Sequence, residues 1–594
     1  MCGIIAIAGK NVSVIKDEGV EKMLSCLSLR GPDEKDFMRT AETIFGQTRL
    51  SIVDLVGGHQ PMRDNTYPYT IVFNGEIYGY KELREALENQ GHVFVTHSDT
   101  EVILKTYAEY GKKCVDYLDG MFAFALWDEG KKELFIARDR FGKKPLYYTI
   151  EKEMIYIASE IKALFAVGIR GEIDPEAIDN YLTLMYIPPW KSVYKNIHVL
   201  PPAHRGIYKN GKLETDRYWE LQDKPLTVSY DEAKAEIKKL FDGAVKKRMV
   251  ADVEIGSLLS GGVDSTLVTA YAQKYAVHPL KTFSVGYEGY INELPFAETA
   301  SKKIGTDHHT LQATSDLTHE LEKVISYLDE PHADSSNFPQ HLVSELASTQ
   351  VKVALSGDGA DEIFLGYGWY WKYRNTSKIV RLKNFIFSNP FREHLKTMQI
   401  FSDKERKHLW KNPTPVNDDV IEESVKKIRK NDVRKINLFD LTTYLPGQLL
   451  TKVDRTSMMH SLEIRSPFLD HKLAKYAYNL PLQYKTDGKN GKIILKDILA
   501  EIMPRDFVYR RKQGFGAPVK EWLRTEKMEN FAKNKLGEKA LIYEFLKKKE
   551  VDSLLGCFYG KKDDSKCLRI WTLLCLELWL RSRTSETSRM LNVV

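Results

Sequence analysis

The sequence predicts a multidomain α/β and α+β protein whose two halves are built in different ways. Residues 1 to about 205 contain short strand-like runs separated by turn residues, whereas strand-like and helical segments alternate from Ser229 onward. Such alternation is typical of a parallel sheet covered by helices. Apolar residues at helical spacing, as in Trp571–Trp579, predict a helical C-terminal part. At 594 residues the chain is long enough for at least two hydrophobic cores.

The N-terminal half begins with the apolar run Cys2–Gly9, which predicts a strand at the start of the chain. Further strands are predicted at Tyr69–Phe73, Phe122–Trp127, Glu133–Ala137 and Met154–Ala158. Asn74-Gly75 directly follows one of these runs, and this pair is typical of a tight hairpin turn. A stretch with Pro and Gly, from Leu200 to Pro225, is the best candidate for a linker. We therefore expect a first domain at 1–208, a linker at 209–228 and a second domain at 229–594.

The second half begins with a predicted helix at Asp231–Val250 and an apolar strand at Val253–Leu259. A Gly-rich turn and another helix follow this strand. Two further strands are predicted at Leu280–Val285 and Val351–Leu355.

Composition argues against several functional classes. The chain has 87 Lys and Arg against 81 Asp and Glu, and a net charge of +6 over this length does not indicate nucleic-acid binding. The Lys-rich stretches 404–440 and 526–562 are also acidic, which is typical of solvated helix faces. No apolar run approaches the about 18 residues that a membrane span needs. Six cysteines without a C-x-x-C pair predict reduced thiols and a cytoplasmic protein.

Cys2 is the first candidate for catalysis. Removal of Met1 would give this residue a nucleophilic thiol and its own α-amine. An α-amine with a pKa of about 7.7–8.0 is partly neutral at physiological pH and can act as a general base for the thiol. Taken alone, a cysteine here is more often a small buried residue that opens a strand, so the interpretation depends on its neighbours.

Five motifs follow Met1-Cys2-Gly3 in a fixed order. They are Arg30-Gly31-Pro32-Asp33, Arg49–Asp54, Phe73–Tyr78, Ser98–Glu101 and Ala137–Gly142. Together they make residues 1–205 resemble the N-terminal-nucleophile glutaminase domain of class II glutamine amidotransferases, which implies an αββα sandwich with Cys2 as the nucleophile. Leu29 and Gln47 stand where that family commonly has histidine, and these departures concern fine positioning rather than the reaction.

Hydrolysis of an amide through a thioester needs an oxyanion hole. The Asn74 side-chain amide and the Gly75 N–H, presented on one tight turn, would supply it. By resemblance, Arg49 binds the glutamine carboxylate and Asp99 binds the ammonium. The remaining residues predicted to bind glutamine are Leu50, Ser51, Ile52, Val53 and Glu76.

The run Ser260-Gly261-Gly262-Val263-Asp264-Ser265 ends a predicted strand and opens a helix. Its glycines let the backbone approach an anion, and its hydroxyls and the helix N-terminus can donate to that anion. No Gly-Lys-Ser/Thr follows, so this is not the P-loop of a kinase or ATPase. The run resembles the pyrophosphate loop of N-type ATP pyrophosphatases, which implies AMP transfer with release of pyrophosphate.

A second candidate loop, Ser356–Glu362, also follows an apolar strand. Carboxylates at the carboxyl ends of parallel strands are placed to hold Mg²⁺ against phosphates. We expect Asp264 and Asp361 to be the metal ligands. A solvated acidic loop is the alternative, and the pyrophosphate-type motif upstream makes it the minor one.

Further motifs follow in order at Phe283–Gly286, Leu328–Pro331, Lys452–Arg455, Glu463–Asp470 and Arg511–Phe515. They make the second half similar to the synthetase domain of the glutamine-hydrolysing asparagine synthetase family, bacterial B type. The resemblance implies an ATP site made of Leu259, Ser260, Gly261, Gly262, Asp264, Ser265, Val285, Ser356 and Gly357. It also implies that Asp358 acts in acyl-adenylate formation and that Lys512 is the catalytic lysine.

This resemblance implies that ATP, aspartate and glutamine give asparagine, glutamate, AMP and pyrophosphate, with ATP and Mg²⁺ as cofactors. The alternative is an amidotransferase of the same architecture that acts on another carboxylate, such as a sugar uronic acid or a biosynthetic intermediate. No motif identifies the acceptor pocket, although His332 and Ser335-Ser336-Asn337 lie in a region that often differs among paralogues. The expected partners are small molecules, with no nucleic acid and no membrane, and a homodimer is left open.

Overall fold

The computed structural model describes residues 1–287, 292–313, 318–374, 390–412, 433–510 and 516–591. Within these ranges the strands form two antiparallel sheets in the N-terminal half and one parallel sheet in the C-terminal half. None of the helices in these ranges is long and apolar enough to cross a membrane. All six cysteines lie in the described ranges and are free thiols.

The N-terminal half contains twelve described strands and five described α-helices. The strands are β1 (Cys2–Ala8), β2 (Glu34–Arg39), β3 (Thr43–Arg49), β4 (Met62–Arg63), β5 (Tyr69–Ile77), β6 (Gly120–Asp128), β7 (Glu133–Arg138), β8 (Tyr147–Glu151), β9 (Met154–Ala158), β10 (His198–Val199), β11 (His204–Lys209) and β12 (Lys212–Arg217). The helices are α1 (Asp17–Cys26), α2 (Tyr80–Glu88), α3 (Asp99–Tyr110), α4 (Ile161–Phe165) and α5 (Pro175–Leu184).

The two antiparallel sheets have the strand orders β10-β8-β9-β1-β3-β2 and β12-β11-β7-β6-β5-β4. β1 is buried along its whole length because it lies between two layers. Successive side chains of a strand point to opposite faces. Accordingly, Ile5 and Ile7 join the core with α1, whereas Cys2 and Ile4 join the core with the second sheet. The outer face of the second sheet packs on α3, which confirms the predicted αββα sandwich.

The C-terminal half contains the parallel sheet. Its strands are β13 (Ile255–Leu258), β14 (Lys281–Tyr287), β15 (Asp307–Ala313), β16 (Val353–Leu355) and β17 (Glu463–Arg465). The strand order is β15-β14-β13-β16-β17, and all four neighbouring pairs are parallel. The chain builds outward from β13 on one side and then returns to build on the other. Ligands of open α/β sheets bind at the carboxyl ends of strands where the order reverses in this way.

Helices cover this sheet and form the C-terminal part. They are α6 (Tyr230–Arg248), α7 (Val263–Gln273), α8 (Leu294–Ile304), α9 (Thr318–Tyr327), α10 (Asn337–Ser348), α11 (Ala360–Ile363), α12 (Gly368–Arg374), α13 (Pro390–Met398), α14 (Asp403–Leu409), α15 (Val433–Phe439), α16 (Thr451–Met458), α17 (His471–Asn479), α18 (Leu482–Lys485), α19 (Ile493–Leu499), α20 (Arg505–Val508), α21 (Val519–Leu523), α22 (Glu526–Lys535), α23 (Lys548–Leu555) and α24 (Cys567–Leu591). A π-helical segment, Asp440–Leu450, joins α15 to α16.

Local sequence explains where α6 begins. The Ser229 side chain accepts a hydrogen bond from the Glu232 backbone N–H, and the Glu232 carboxylate accepts one from the Ser229 N–H. This reciprocal capping satisfies two backbone donors that the first helical turn leaves without a partner. The predicted helix and the strands that follow it are confirmed to within a few residues.

Two local predictions are wrong. Asn74-Gly75 is not a turn but lies inside β5, where Asn74 pairs with Ala123 and Gly75 with Phe122 of β6. The predicted linker 209–228 begins with strand rather than irregular chain, because β12 pairs along its whole length with β11 and forms the edge of the second sheet. In both places pairing with a distant or adjacent strand overrides the local preference for a turn or loop.

Candidate active sites

Cys2 is the first residue of β1, next to Arg49 at the end of β3. Its backbone N–H donates a 3.0 Å hydrogen bond to Asn74 Oδ1, and its carbonyl accepts one of 3.2 Å from Arg30 Nε. Arg30 itself is fully buried. Burial raises the pKa of the Cys2 thiol, although the neighbouring N-terminal amine acts to lower it. The nucleophile candidate is therefore fixed at both its backbone nitrogen and its carbonyl.

The two predicted oxyanion donors lie beside Cys2 on β5. Because Asn74 Oδ1 is taken by the Cys2 nitrogen, the Nδ2 group is left as the donor end of the amide. Asn74 is fully buried, and Nδ2 has no hydrogen-bond partner among the described residues. Gly75 approaches β6 so closely that a Cβ on residue 75 would overlap the Met121 carbonyl oxygen. A buried donor without a partner beside a thiol suits a site where negative charge develops.

A cavity of about 30 Å³ opens next to Cys2. Most of the residues predicted to bind glutamine line it, namely Arg49, Leu50, Ile52, Val53, Gly75, Glu76 and Asp99. Ser51 is not among the lining residues, and its backbone N–H donates a 2.7 Å hydrogen bond to Asp33 Oδ2 instead. Met1 also lines the cavity and is 2% exposed, so the first residue occupies part of the space that a ligand would need.

Arg49 is held rather than free to swing. Its guanidinium contacts Glu34 Oε1 at 2.9 Å and donates to the carbonyls of Val53 and Asp54 at 3.3 and 2.7 Å. The loop after β3 therefore folds around the arginine, and the arginine keeps a fixed position at the cavity wall. This is the position expected of a cation that binds a ligand carboxylate.

Two carboxylates face the same cavity. Asp99 opens α3, and its Oδ2 accepts a 2.9 Å hydrogen bond from the Ile77 N–H. Burial raises the pKa of Asp99 to about 6 despite that bond. Burial also raises the pKa of Glu76 well above its usual range, against the pull of Arg465, which lies 3.0 Å away. A bound ammonium group would relieve the burial of both carboxylates.

The second half of the chain packs against the wall of this pocket through β17. Arg465 contacts Glu76 and Glu463, and Glu463 Oε2 lies 3.3 Å from the Met1 amine. These groups are almost fully buried. The backbone carbonyl of Arg465 accepts a 2.9 Å hydrogen bond from the Ser356 N–H. Arg465 of β17 thus contacts Glu76, in the wall of the cavity around Cys2, with its side chain and the second candidate loop with its backbone carbonyl.

The two departures from the family pattern have ordinary surroundings. Gln47 Nε2 donates a 3.0 Å hydrogen bond to the Phe73 carbonyl on β5. Leu29 is about half exposed, and its carbonyl accepts a 2.7 Å bond from Ser461 Oγ.

Gln60 was not predicted from the sequence, although it lines the cavity and its side-chain oxygen accepts a 2.7 Å hydrogen bond from the Phe73 N–H. It lies outside every motif, so no local signal identifies it.

A much larger cavity, of about 810 Å³, lies at the carboxyl ends of β13 and β16. Its wall includes all the predicted ATP-binding residues except Gly261, together with Asp358 and Asp361. The loop after β13 is tied to itself, because Ser265 Oγ accepts a 3.2 Å hydrogen bond from the Ser260 N–H. The two candidate loops touch at Gly357, where a Cβ would lie 2.8 Å from Asp264 Cβ. Glycine at 357 therefore allows the loops to form one wall.

Asp264 and Asp361, the predicted metal ligands, share one cation in this structure. Lys492 Nζ lies 2.5 Å from Asp264 Oδ2 and 2.7 Å from Asp361 Oδ1. Burial acts to lower the pKa of Lys492, but the two carboxylates raise it overall. No cluster of three or more His, Cys, Asp or Glu in the described ranges could hold a metal by itself. Two carboxylates suit Mg²⁺ that takes its other ligands from phosphates and water.

Of the remaining predicted residues, Asp358 lines the cavity and Lys512 lies outside the described residues. Asp358 Oδ2 accepts a 2.7 Å hydrogen bond from Ser356 Oγ, and Asp358 lines the cavity. Lys512 lies outside the described residues, as does the rest of 511–515. Arg510 and Gly516, on either side of that segment, both line the cavity. Lys492 and Lys452 also line this cavity. Lys492 belongs to no motif, and Lys452 begins the motif Lys452–Arg455, for which the sequence indicates no role.

An αββα sandwich with a cysteine at its first strand, joined to a parallel sheet with a Ser-Gly-Gly-Val-Asp-Ser loop, defines a class: glutamine amidotransferases with a nucleotide-binding second domain. The family profile "Glutamine amidotransferase domain" matches residues 1–219, and the profile "Asparagine synthase" matches residues 236–581. The chain belongs to the asparagine synthase family. Membership of this family implies the use of ATP.

Named relatives agree with this assignment. The chain is 32% identical to "Asparagine synthetase [glutamine-hydrolyzing] 1" of Bacillus subtilis, over 98% of this chain and 96% of that protein. It is 34% identical to "Asparagine synthetase [glutamine-hydrolyzing] 3" of the same organism, over 93% of each chain. It is 28% identical to "Asparagine synthetase [glutamine-hydrolyzing]" of Cricetulus griseus, over 87% of this chain and 84% of that protein. The similarity therefore spans both halves of the molecule.

Proposed function

We propose that this chain is a glutamine-dependent asparagine synthetase, a carbon–nitrogen ligase that converts ATP, aspartate and glutamine to asparagine, glutamate, AMP and pyrophosphate. The observation that supports it best is the presence of both sites on one chain. A cysteine lies beside a buried donor in a small pocket, and a second cavity carries the Ser-Gly-Gly-Val-Asp-Ser loop. The printed names of the relatives support the same reaction.

In the glutaminase half, the Cys2 thiolate attacks the side-chain amide carbon of glutamine. The oxyanion that forms faces Asn74 Nδ2 and the Gly75 N–H. Ammonia leaves, and water then hydrolyses the thioester to release glutamate. Once Met1 is removed, the Cys2 nitrogen is an α-amine 3.0 Å from Asn74 Oδ1, where it is held in place to act as the base. Arg49 binds the glutamine α-carboxylate, and Asp99 with Glu76 binds the α-ammonium.

In the synthetase half, an oxygen of the aspartate side-chain carboxylate attacks the α-phosphorus of ATP and pyrophosphate leaves. Ammonia then attacks the acyl carbon of the adenylate and AMP leaves. The backbone and hydroxyls of Ser260 to Ser265 bind the departing pyrophosphate. Asp264 and Asp361 would hold Mg²⁺, which neutralises phosphate charge. Lys512 stabilises the charge that builds on the transferring phosphate, and Asp358 assists acyl-adenylate formation.

Product analysis tests this proposal. The purified chain, given ATP, Mg²⁺, aspartate and glutamine, is expected to form asparagine with one AMP and one pyrophosphate for each asparagine. Formation of ADP and phosphate would refute the adenylation chemistry. Adenylation of another carboxylate with no reaction of aspartate would replace aspartate as the acceptor and leave the reaction class intact. The same reaction without Mg²⁺ tests whether the metal is required, and no asparagine is expected to form.

Three further proposals concern the domain boundary, the cellular compartment and the oligomeric state. We propose that the first domain extends through β12, because this strand completes the second sheet. We propose that the protein acts in the cytoplasm, which its six free thiols support. Assembly as a homodimer stays a prediction, and light scattering of the purified chain measures it directly.

A further inference from the structure

We propose that Asp252, which the second half of the chain supplies, is a positioning residue of the glutamine pocket. Its side chain and its backbone N–H hold the loop 50–58, which follows β3 and forms one wall of the cavity around Cys2. This inference rests on the proposed function, because it concerns how the pocket for glutamine keeps its shape. Asp252 acts through the loop, since it is not itself one of the residues that line the cavity.

The loop 50–58 decides where the ligand-binding cation Arg49 lies. The loop residues that line the cavity are Leu50, Ile52, Val53 and Gly58. Arg49 ends β3 just before them, and its guanidinium donates hydrogen bonds to the carbonyls of Val53, Asp54 and Leu55. The position of the cation predicted to bind the glutamine carboxylate therefore depends on the course of this loop.

Asp54, in the middle of the loop, needs support from its surroundings. Its φ is +49°, in the left-handed region that residues with a side chain rarely adopt. The Asp54 carboxylate accepts hydrogen bonds from the Gly57 and His97 N–H groups, both at 2.8 Å. A backbone in this conformation persists only where neighbouring contacts hold it. The contacts that the loop makes on either side of Val53 therefore matter for its shape.

Asp252 makes contacts on both sides of Val53. It lies in the segment 249–254, which connects α6 to β13. Asp252 Oδ2 accepts a 2.7 Å hydrogen bond from the Asp54 N–H, and the Asp252 N–H donates one of 2.9 Å to the Ile52 carbonyl. Two bonds from one residue fix the orientation of the loop as well as its distance. The residue between them, Val53, lines the cavity.

The chain just before Asp252 is itself held firmly. The buried guanidinium of Arg465 donates to the carbonyl of Arg248 at 2.9 Å and to that of Val250 at 2.7 Å. Hydrogen bonds from a charged donor are stronger than neutral ones. Arg465 also pairs with Glu76, which lines the cavity around Cys2. The segment that carries Asp252 is thus linked to the glutamine pocket at two places and can serve as a fixed support for the loop.

Asp252 also lies close to the carboxylates predicted to bind the glutamine ammonium. Burial raises the pKa of Tyr80, and the charges of Asp99, Glu76 and Asp252 raise it further. The Tyr80 hydroxyl is therefore within electrostatic range of all three carboxylates. A direct effect of the Asp252 charge on the bound ammonium is the alternative to a hydrogen-bonded support. Asparagine at position 252 separates the two, because it keeps an acceptor oxygen and removes the charge.

The experiment measures glutamate release at varied glutamine concentration. Asp252→Ala removes the acceptor for the Asp54 N–H, and KM for glutamine should rise by about 3–10-fold, the range typical of one lost hydrogen bond. The effect is moderate because Asp252 is exposed and its backbone bond to Ile52 remains. The kcat should stay within about twofold of the parent value, since the oxyanion donors lie on β5 and not on the loop. Asp252→Asn should keep KM within about twofold of the parent value.

Glu254→Ala is the matched control. Glu254 is an exposed carboxylate of the same segment that contacts Lys281 at 2.9 Å, so its loss should change neither KM nor kcat. Calorimetric binding of glutamine provides a second readout without catalysis. With Cys2→Ala as the background, adding Asp252→Ala should weaken the Kd for glutamine by the same factor of about 3–10.

An unchanged KM in Asp252→Ala would overturn this inference, as would Asp252→Asn with the same defect as Asp252→Ala. A fall in kcat with KM unchanged would also overturn it, because a support of the loop acts on binding. Glutamate release needs no carboxylate acceptor. If KM shifts as expected but aspartate is not amidated, the role of Asp252 stands and the proposed function is wrong about the acceptor. A parent chain that hydrolyses no glutamine would overturn both.

Discussion

The two candidate sites of this chain differ in volume and in whether strands or loops hold their residues in place. The cavity at Cys2 has a volume of about 30 Å³. Cys2 and Arg49 face each other on the paired strands β1 and β3 of the first sheet, and Asn74, on β5 of the second sheet, accepts a hydrogen bond from the Cys2 nitrogen. The synthetase cavity has about 810 Å³ and is walled by loops, with Lys492 holding two carboxylates together. The first site is preorganised by the fold, whereas the second depends on ligands to complete it.

The largest expected effect is on the preorganised site. Cys2→Ala should lower glutamine hydrolysis by at least about 10⁴-fold, because removal of a nucleophile leaves only binding and the oxyanion hole. Asparagine formation from free ammonia should persist, since the synthetase cavity contains no atom of Cys2. The measurement is glutamate release beside ammonia-dependent pyrophosphate release. Cys26→Ala is the matched control, and glutamine hydrolysis by the Cys2→Ala variant at the parent rate would show that the nucleophile is misassigned.

A smaller effect is expected at Lys512 in the ligand-completed site. Lys512→Met should lower kcat for pyrophosphate release by about 10²–10³-fold, the loss typical of one electrostatic stabiliser of a transition state. KM for ATP should change much less, because the charge acts as it builds on the transferring phosphate. Lys512→Arg should not fully restore the rate, since a planar guanidinium places its charge differently. If pyrophosphate release is unaffected, Arg510 or Arg511 becomes the candidate.

Asn74 tests how much of the first site is electrostatic preorganisation. Asn74→Ala removes the buried Nδ2 donor and should lower kcat for glutamine hydrolysis by about 10²-fold, with little change in glutamine KM. Because Asn74 Oδ1 also binds the Cys2 nitrogen, Asn74→Asp keeps that acceptor, removes the donor and adds a negative charge that opposes the oxyanion, so it should lower the rate at least as much as Asn74→Ala. Rates near the parent for Asn74→Asp would mean that the oxyanion lies elsewhere.

The smallest expected effect is a pH dependence of glutamine binding. Asp99, with its pKa raised to about 6 by burial, is ionised above that pH and protonated below it. Affinity for the glutamine ammonium should therefore be full near pH 7.5 and should fall by up to about tenfold for each pH unit below 6. Steady-state KM for glutamine, measured between pH 5 and 8, tests this expectation. In Asp99→Asn, KM should be high, and the fall in affinity below pH 6 should be smaller than in the parent enzyme, with Glu76 as the remaining titrating carboxylate.

The sequence predicts the preorganised site better than the ligand-completed one, for a physical reason. Residues such as Cys2 and Asp99 are positioned by strands and helix starts, whose local patterns are visible in the sequence. Asn74-Gly75 has the composition of a turn, and only pairing with β6 makes it strand. Local sequence therefore does not predict the conformation of residues such as Asn74 and Gly75, because contacts with a distant strand determine it.

The synthetase site shows the same limit. Its two loops follow strands and carry recognisable motifs, so most of their residues were predicted to lie at the cavity. Lys452 belongs to a motif that was noticed but given no role, and Lys492 belongs to none. Glu463 contacts Met1 and Arg465 contacts Glu76, both of which line the cavity around Cys2, although each pair is more than 380 residues apart in the chain. No spacing within the sequence reports such contacts.

The helix α16 has a consequence for attempts to separate the two domains. Residues of this helix contact both halves of the chain. Lys452 lines the synthetase cavity, whereas Asp454 contacts Arg30 at 2.9 Å and Arg455 contacts Glu160 at 2.9 Å, both in the N-terminal half. A fragment cut at the linker would leave the buried charge of Arg30 without one of its carboxylates, and removing one partner of a buried pair typically costs about 3–5 kcal/mol. The domains are therefore poor candidates for exchange between relatives, because each exchange would have to carry the matching helix with it.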